Sequence, residues 1–141
     1  MADKQVFNTN HFEVNIEGLG AKNFVSVEGL GIHIEAITHK QGSDQVEQSR
    51  KGKVSYSDLV LTRQFDGDKE IYNWVKDCVQ KQPVKKSGSV ILRNDDGQEV
   101  MRWNFNKAWP VSYEPPSLST NESGSVTVER IVVNVESLEM E

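Results

Sequence analysis

Three histidines, one cysteine and a pair of adjacent aspartates are the side chains here that could do acid–base, nucleophilic or metal chemistry. His11, His33 and His39 could hold a metal or shuttle a proton, but none is spaced like H-x-x-x-H. None accompanies a nucleophile turn such as G-x-S-x-G either. Cys78 falls on the apolar stripe of the one helical segment, where a thiol acts as a small inert hydrophobe. Gly29-Leu30-Gly31 could approach a phosphate, yet no helix pattern follows it to supply the positive end of a dipole. Asp95 and Asp96 sit in Asn94-Asp95-Asp96-Gly97, a turn where carboxylates are solvated. No catalytic constellation forms, so the expectation is a non-enzymatic protein with no cofactor and no metal.

The elements that carry these residues read mostly as strands. Phe12, Val14 and Ile16 alternate with Glu13, Asn15 and Glu17, which predicts a two-faced strand whose polar side could line a wet channel. Ile32, Ile34 and Ala36 continue an alternation that Ile37 breaks, a sign of a β-bulge or of the end of pairing. Val54, Tyr56, Leu59, Leu61 and Phe65 predict one strand with a slip near Ser57-Asp58. Ile71, Trp74, Val75, Cys78 and Val79 recur at helical spacing. Asp66 is the expected N-cap of that helix and Pro83 its stop. Val90–Leu92 and Val100–Phe105 flank the Asn94–Gly97 turn as a hairpin. Proline at 110 should interrupt pairing after Trp109. Val126 to Val135 and onward predicts a long final strand with a bulge near Glu129-Arg130.

Six or seven antiparallel strands and one helix make the chain mainly β (β-rich α+β). The expected closure is a split β-barrel or two-sheet sandwich with one packed α-helix and a long protruding loop. At 141 residues the chain is read as a single domain, 1–141, with 1–10 a flexible arm. Charged residues are 26% and the net charge is −5, without the basic face that a standing nucleic-acid partner needs. The single cysteine excludes an intrachain disulfide framework. Apolar runs reach only three residues and no signal peptide is apparent, so cytoplasmic folding without membrane insertion is expected.

Residues 39–53 form the sharpest surface feature, with Val46 the one aliphatic residue of the stretch. They hold Lys40, Arg50, Lys51 and Lys53 against Asp44 and Glu47, a net of +2 on a remainder of −7. So long a polar connection in a small domain is expected to have a use. A basic arm on an acidic body can orient itself on a neighbouring copy. Residues 114–125 and 1–10 are further candidates for the same role.

Several segments also resemble a known family. Arg102-Trp103-Asn104-Phe105, followed by Ala108-Trp109-Pro110-Val111, is similar to the tail-tube proteins of contractile phages and related bacterial injection systems. Phe12-Glu13-Val14-Asn15-Ile16-Glu17-Gly18-Leu19, Phe24-Val25-Ser26-Val27-Glu28-Gly29-Leu30 and the closing Glu136-Ser137-Leu138-Glu139 agree, from about Phe7 to Glu141. The resemblance implies a subunit of stacked hexameric rings that conduct DNA or effector protein. Its implied partners are further copies of itself, a sheath, and baseplate and tail-terminator proteins. It implies assembly in the bacterial cytoplasm, then residence in a virion tail or injection particle. It also implies that the 39–53 loop reaches adjacent subunits. A type VI secretion-type tube protein is the alternative within this architecture. A small β-barrel binding module or flavin-binding split-barrel oxidoreductase is the alternative outside it.

Overall fold

The computed structural model describes residues 11–39, 42, 46–116, 118, 120 and 127–141. Among them are ten strands and one helix, more strands than the alternation predicts. They are β1 (Phe12–Ile16), β2 (Gly20–Lys22), β3 (Ser26–Glu28), β4 (Ile32–His39), β5 (Gln48–Tyr56) and β6 (Leu59–Gln64). Helix α1 (Glu70–Gln80) follows, then β7 (Lys86–Arg93), β8 (Glu99–Glu114), β9 (Val128–Asn134) and β10 (Ser137–Met140). All pairings are antiparallel. The mainly β, two-sheet architecture with one helix is the expected one.

One long strand joins two layers. The first half of β8 pairs with β7 on one side and β10 on the other, in the order β2-β1-β7-β8-β10. Its second half leaves β7 and pairs with β9, which continues to β6 and β3. The change of partner falls between Ala108, opposite Lys86, and Trp109, opposite Asn134. Lys107 takes a left-handed φ of 51° at this corner. Proline therefore does not end the strand; a register shift between Pro110 and Ser112 absorbs its missing donor. The expected final strand likewise divides in two, because β9 and β10 serve different halves of β8.

The core lies between the layers. Val14, Ile16, Val90 and Phe105 from the first sheet meet Leu59, Leu61, Ile131 and Val133 from the second. Gly88 lets β1 and β7 approach over Phe105: a Cβ there would stand 2.4 Å from the Asn15 carbonyl oxygen and 2.5 Å from the Phe105 ring. Helix α1 packs Ile71 and Trp74 into the same core, and the Trp74 indole N–H donates to the Val84 carbonyl at 2.7 Å. The helix starts at Glu70, and Asp66 is not its cap. Asp68 Oδ1 accepts the Glu70 N–H at 3.0 Å, while Asp66 accepts the Asp68 N–H.

Two departures from strict alternation share one cause. Arg63 and Glu129 are directly opposite on β6 and β9, and both are buried, at 4% and 3% exposure. Glu129 stays in phase with Ile131 and Val133, so no bulge exists near 129–130; a charged residue simply occupies a core position. Phe65, expected inside, is exposed.

Candidate functional site

Surfaces, rather than a pocket of reactive groups, distinguish this molecule. β4 and β5 pair with each other and form their own two-stranded sheet. The polar stretch read as a loop over 39–53 is therefore strand from Gln48 onward. Its bulge lies where the phase break at Ile37 suggests: Ile34 faces Val54, Ala36 faces Lys51, and Glu35 opposes both Gly52 and Lys53. The glycines before β4 form the base of this arm. Gly29, at φ 110°, passes so close to Asp58 that a Cβ would lie 2.4 Å from its carbonyl oxygen. The Gly31 carbonyl accepts the Ser57 N–H at 3.0 Å, closing the arm where the chain returns to the body.

The arm's chemistry differs from what its charge suggests. Glu47, Arg50, Lys51 and Lys53 are all exposed, and the register sends Arg50 and Lys51 to opposite faces. The basic residues do not converge on one point. Lys40 and Asp44 lie outside the described residues. What the arm does concentrate is apolar surface. Ile32 opposite Tyr56 and Ile34 opposite Val54 share one face, with Ile32 52% and Ile34 61% exposed. Alternation alone signals strand, but not that the face so marked would point away from the core. On the body, an apolar cleft of about 380 Å³ opens between the sheets, lined by Phe12, Val27, Leu30, Val90, Leu92 and Trp103 among others.

The first sheet's outer face is a polar carpet. The register sets Glu13 opposite Ile91, Asn15 opposite Ser89 and Glu17 next to Ser87, then Ile91 opposite Arg102, Ser89 opposite Asn104, and Asn104 and Asn106 opposite Glu139 and Ser137; Ile91 is the buried apolar residue of this otherwise polar row. Both arginines are neutralised: Arg93 bonds Glu13 at 2.6 Å and Arg102 bonds Glu99 at 2.7 Å. The Glu99 carboxyl is held below its usual range by that hydrogen bond. Ser89 donates to Asn104 at 2.7 Å, and Asn106 donates to Ser137 at 3.1 Å. Glu13 is thus a paired residue, whereas Asn15 and Glu17 line an open groove with Ser87, Asn104 and Glu139.

Inside, a charged network replaces any reactive cluster. Arg63 Nε donates to Glu129 at 2.9 Å, and Arg63 Nη1 reaches Asp68 at 3.3 Å. Lys22 bonds Asp68 at 2.6 Å and Glu70 at 2.9 Å. The Tyr113 hydroxyl donates to Glu129 at 2.7 Å. Hydrogen bonds from the Lys22 ammonium and the Glu70 N–H, reinforced by nearby positive charge, hold the Asp68 carboxyl at about 2. Burial, then the Glu129 carboxylate, pushes the Tyr113 phenol up to about 12. This network was not legible beforehand, because its members come from four strands, the segment before the helix and the helix's first residue.

The three histidines are scattered. His11 meets Asp95 at 3.3 Å, His33 meets Ser57 at 2.8 Å and His39 ends β4. The Cys78 sulfur is half-buried and accepts the Val84 N–H at 3.3 Å. Among the described residues no group of His, Cys, Asp or Glu is arranged to hold a metal ion. Among the described residues no helix is long and apolar enough to cross a membrane.

A two-sheet body with a protruding two-stranded arm and a polar sheet face defines a protein that works by its surfaces. The chain belongs to the T4-like virus tail tube protein gp19 family, whose model matches residues 8–139. It is a structural tube subunit. A chain of the PVC sheath–tube complex, an extracellular contractile injection system in its extended state, matches with TM-score 0.86 and 26% identity, over 96% of this chain and 91% of that one. A chain of the anti-feeding prophage tube terminating cap gives TM-score 0.89 at 24% identity, over 100% and 94%. Hcp1 from Salmonella typhimurium shares the fold more loosely, with TM-score 0.65 and 17% identity over 92% and 84%. No curated protein matches the sequence significantly.

Proposed function

We propose that this chain builds the inner tube of a contractile phage tail or injection particle as stacked hexameric rings. The polar carpet of the first sheet lines the channel, and the arm of each copy docks on a neighbour. The exposed Ile32–Ile34 face carries this reading, since a monomer gains nothing from holding two isoleucines in water on an isolated hairpin. The cleft beside Trp103 offers an apolar counterpart. The dispersed charges of the arm would serve orientation and encounter more than affinity.

Ring closure is open to the first sheet because, among the described residues, no further strand pairs with the outer sides of its edges, β2 and β10. Sheath, baseplate and terminator proteins are the expected partners, and DNA or effector protein the cargo. Assembly in the bacterial cytoplasm precedes residence in the particle. The higher similarity to PVC and anti-feeding prophage chains than to Hcp1 favours the phage-like branch.

Negative-stain electron microscopy at low and high concentration tests the proposal. Rings with a central hole, or rods of stacked rings, are expected. Monomers that stay monomeric even when seeded with preformed baseplate would overturn it.

A further inference from the structure

The edge strand β2 has only three residues, and its ladder to β1 consists of Ile16 with Gly20, Asn15 with Ala21 and Val14 with Lys22. Gly18 and Gly20, at φ 79° and 74°, lead into it, where the backbone has most freedom to lose. Directly after Lys22 the chain leaves this sheet. Phe24 is buried in the core, and the Val25 N–H donates to the Thr62 carbonyl of β6 at 2.7 Å. The strand therefore ends where the chain crosses from one layer to the other.

A lysine stands at that crossing. Lys22 lies opposite Val14, a fully buried residue, and its own side chain is only 8% exposed. Lysine is rarely buried unless paired, and this one has two partners. Its Nζ lies 2.6 Å from Asp68 Oδ2 and 2.9 Å from Glu70 Oε2. The positive end of the helix would repel an ammonium, and the two carboxylates reverse that. Asp68 is also committed elsewhere, accepting the Glu70 N–H through Oδ1 and Arg63 Nη1 through Oδ2. The helix is a firm anchor at this end, because Ile71 and Trp74 are buried whereas Val79, expected on the same stripe, is 79% exposed. One carboxylate thus joins the edge of the first sheet, the second sheet and the helix.

We propose that Lys22 is a positioning residue for ring closure: its ion pairs with Asp68 and Glu70 pin the β2 edge to the second layer, where the edge of another copy must meet it. This rests on the tube reading, which makes β2 a ring-closing edge. A three-residue strand left to its own ladder frays. A frayed edge presents no fixed row of backbone groups for a neighbour to pair with. The pin orders the edge within the monomer, before the neighbour arrives, and so lowers the cost of closure.

The test measures hydrogen exchange over residues 20–24 and the protein concentration at which rings form, seen by negative-stain microscopy. Lys22→Met keeps most of the side chain's length and removes its charge. It should stay folded by circular dichroism and lose protection about ten-fold over 20–24, while β7 and β8 keep theirs. The ring threshold should rise about ten-fold as well. Lys22→Arg should recover most of the threshold. Glu70→Gln, which leaves the Asp68 bond in place, should raise it about two-fold. Rings from Lys22→Met at the unaltered concentration would overturn the proposal. So would protection lost equally throughout the chain, since Lys22 would then serve overall stability. If Lys22→Met does not fold, Glu70→Gln decides, and an unchanged threshold there overturns the proposal. Unaltered protein that forms no rings, even with baseplate seeds, would instead end the tube reading, with the exchange comparison still testing the pin.

Discussion

Arg63 and Glu129 stand opposite each other inside the body with every charged atom partnered, while Ile32 and Ile34 stand on the arm in open solvent. The body hides charge and the arm displays hydrocarbon, each the reverse of the usual distribution. The difference marks what each region is for. The buried pair couples β6 and β9 to the helix start through Asp68, so a tight, self-contained body results. The arm's contacts to the rest of the chain are few, and its apolar face is complete only when something else covers it.

The largest way to break this contrast is in the body. Glu129→Ala would leave Arg63 buried without its main partner and the Tyr113 hydroxyl without an acceptor, costing about 3–5 kcal/mol. A urea midpoint measures it, and pairing the change with Arg63→Met should recover most of the loss. Gly88→Ala forces a Cβ against the Asn15 carbonyl and the Phe105 ring, and should cost about 2–3 kcal/mol in the same assay.

Acid provides a gentler probe. The Asp68 carboxyl titrates near 2 in the folded protein against an ordinary 3.8, so its depressed value means the ionised form is favoured by folding. The stability it supplies is present above about pH 4 and is lost as pH falls towards 2, on the order of 1–2 kcal/mol. Asp68→Asn should flatten that part of a stability-against-pH curve; an unchanged slope would show that the network's acid sensitivity lies elsewhere.

The arm should give the smallest change in stability and a complete change in assembly. Ile32→Glu/Ile34→Glu is expected within about 0.5 kcal/mol of the unaltered protein in urea, because these positions are already solvated. The same variant should sediment as a monomer and form no rods. Arg50→Glu/Lys51→Glu/Lys53→Glu should behave alike but more mildly, slowing assembly in low salt. Normal tubes from the isoleucine variant would remove the arm's apolar face from the assembly contact.

Much of this was legible in the chain. Period-two runs located β1 and the β7–β8 hairpin, and the 71–78 stripe located the helix, since strands and helices print their periods directly on one face; the single strand read through Val54, Tyr56, Leu59 and Leu61 is instead the end of β5 and the start of β6, in different sheets. Arg102–Val111 and its companion segments carried the family likeness across nearly the whole length. Polarity misled over 48–53, because a strand that packs against no core needs no alternation of burial. It misled at Phe65, Val79 and Glu129 for a related reason: periodicity tells which residues share a face, never which face is inside.

Local pattern therefore determined the elements, the two-layer class and the family. Tertiary structure alone decided that β8 serves both sheets, that Arg63 and Glu129 pair in the core, and that the arm turns its isoleucines outward. Those outcomes depend on partners distant along the chain: Arg63 and Glu129 are 66 residues apart, and Trp109 and Asn134 are 25. Local spacing carries no information about which distant strand will arrive to satisfy a buried charge or cover an apolar face.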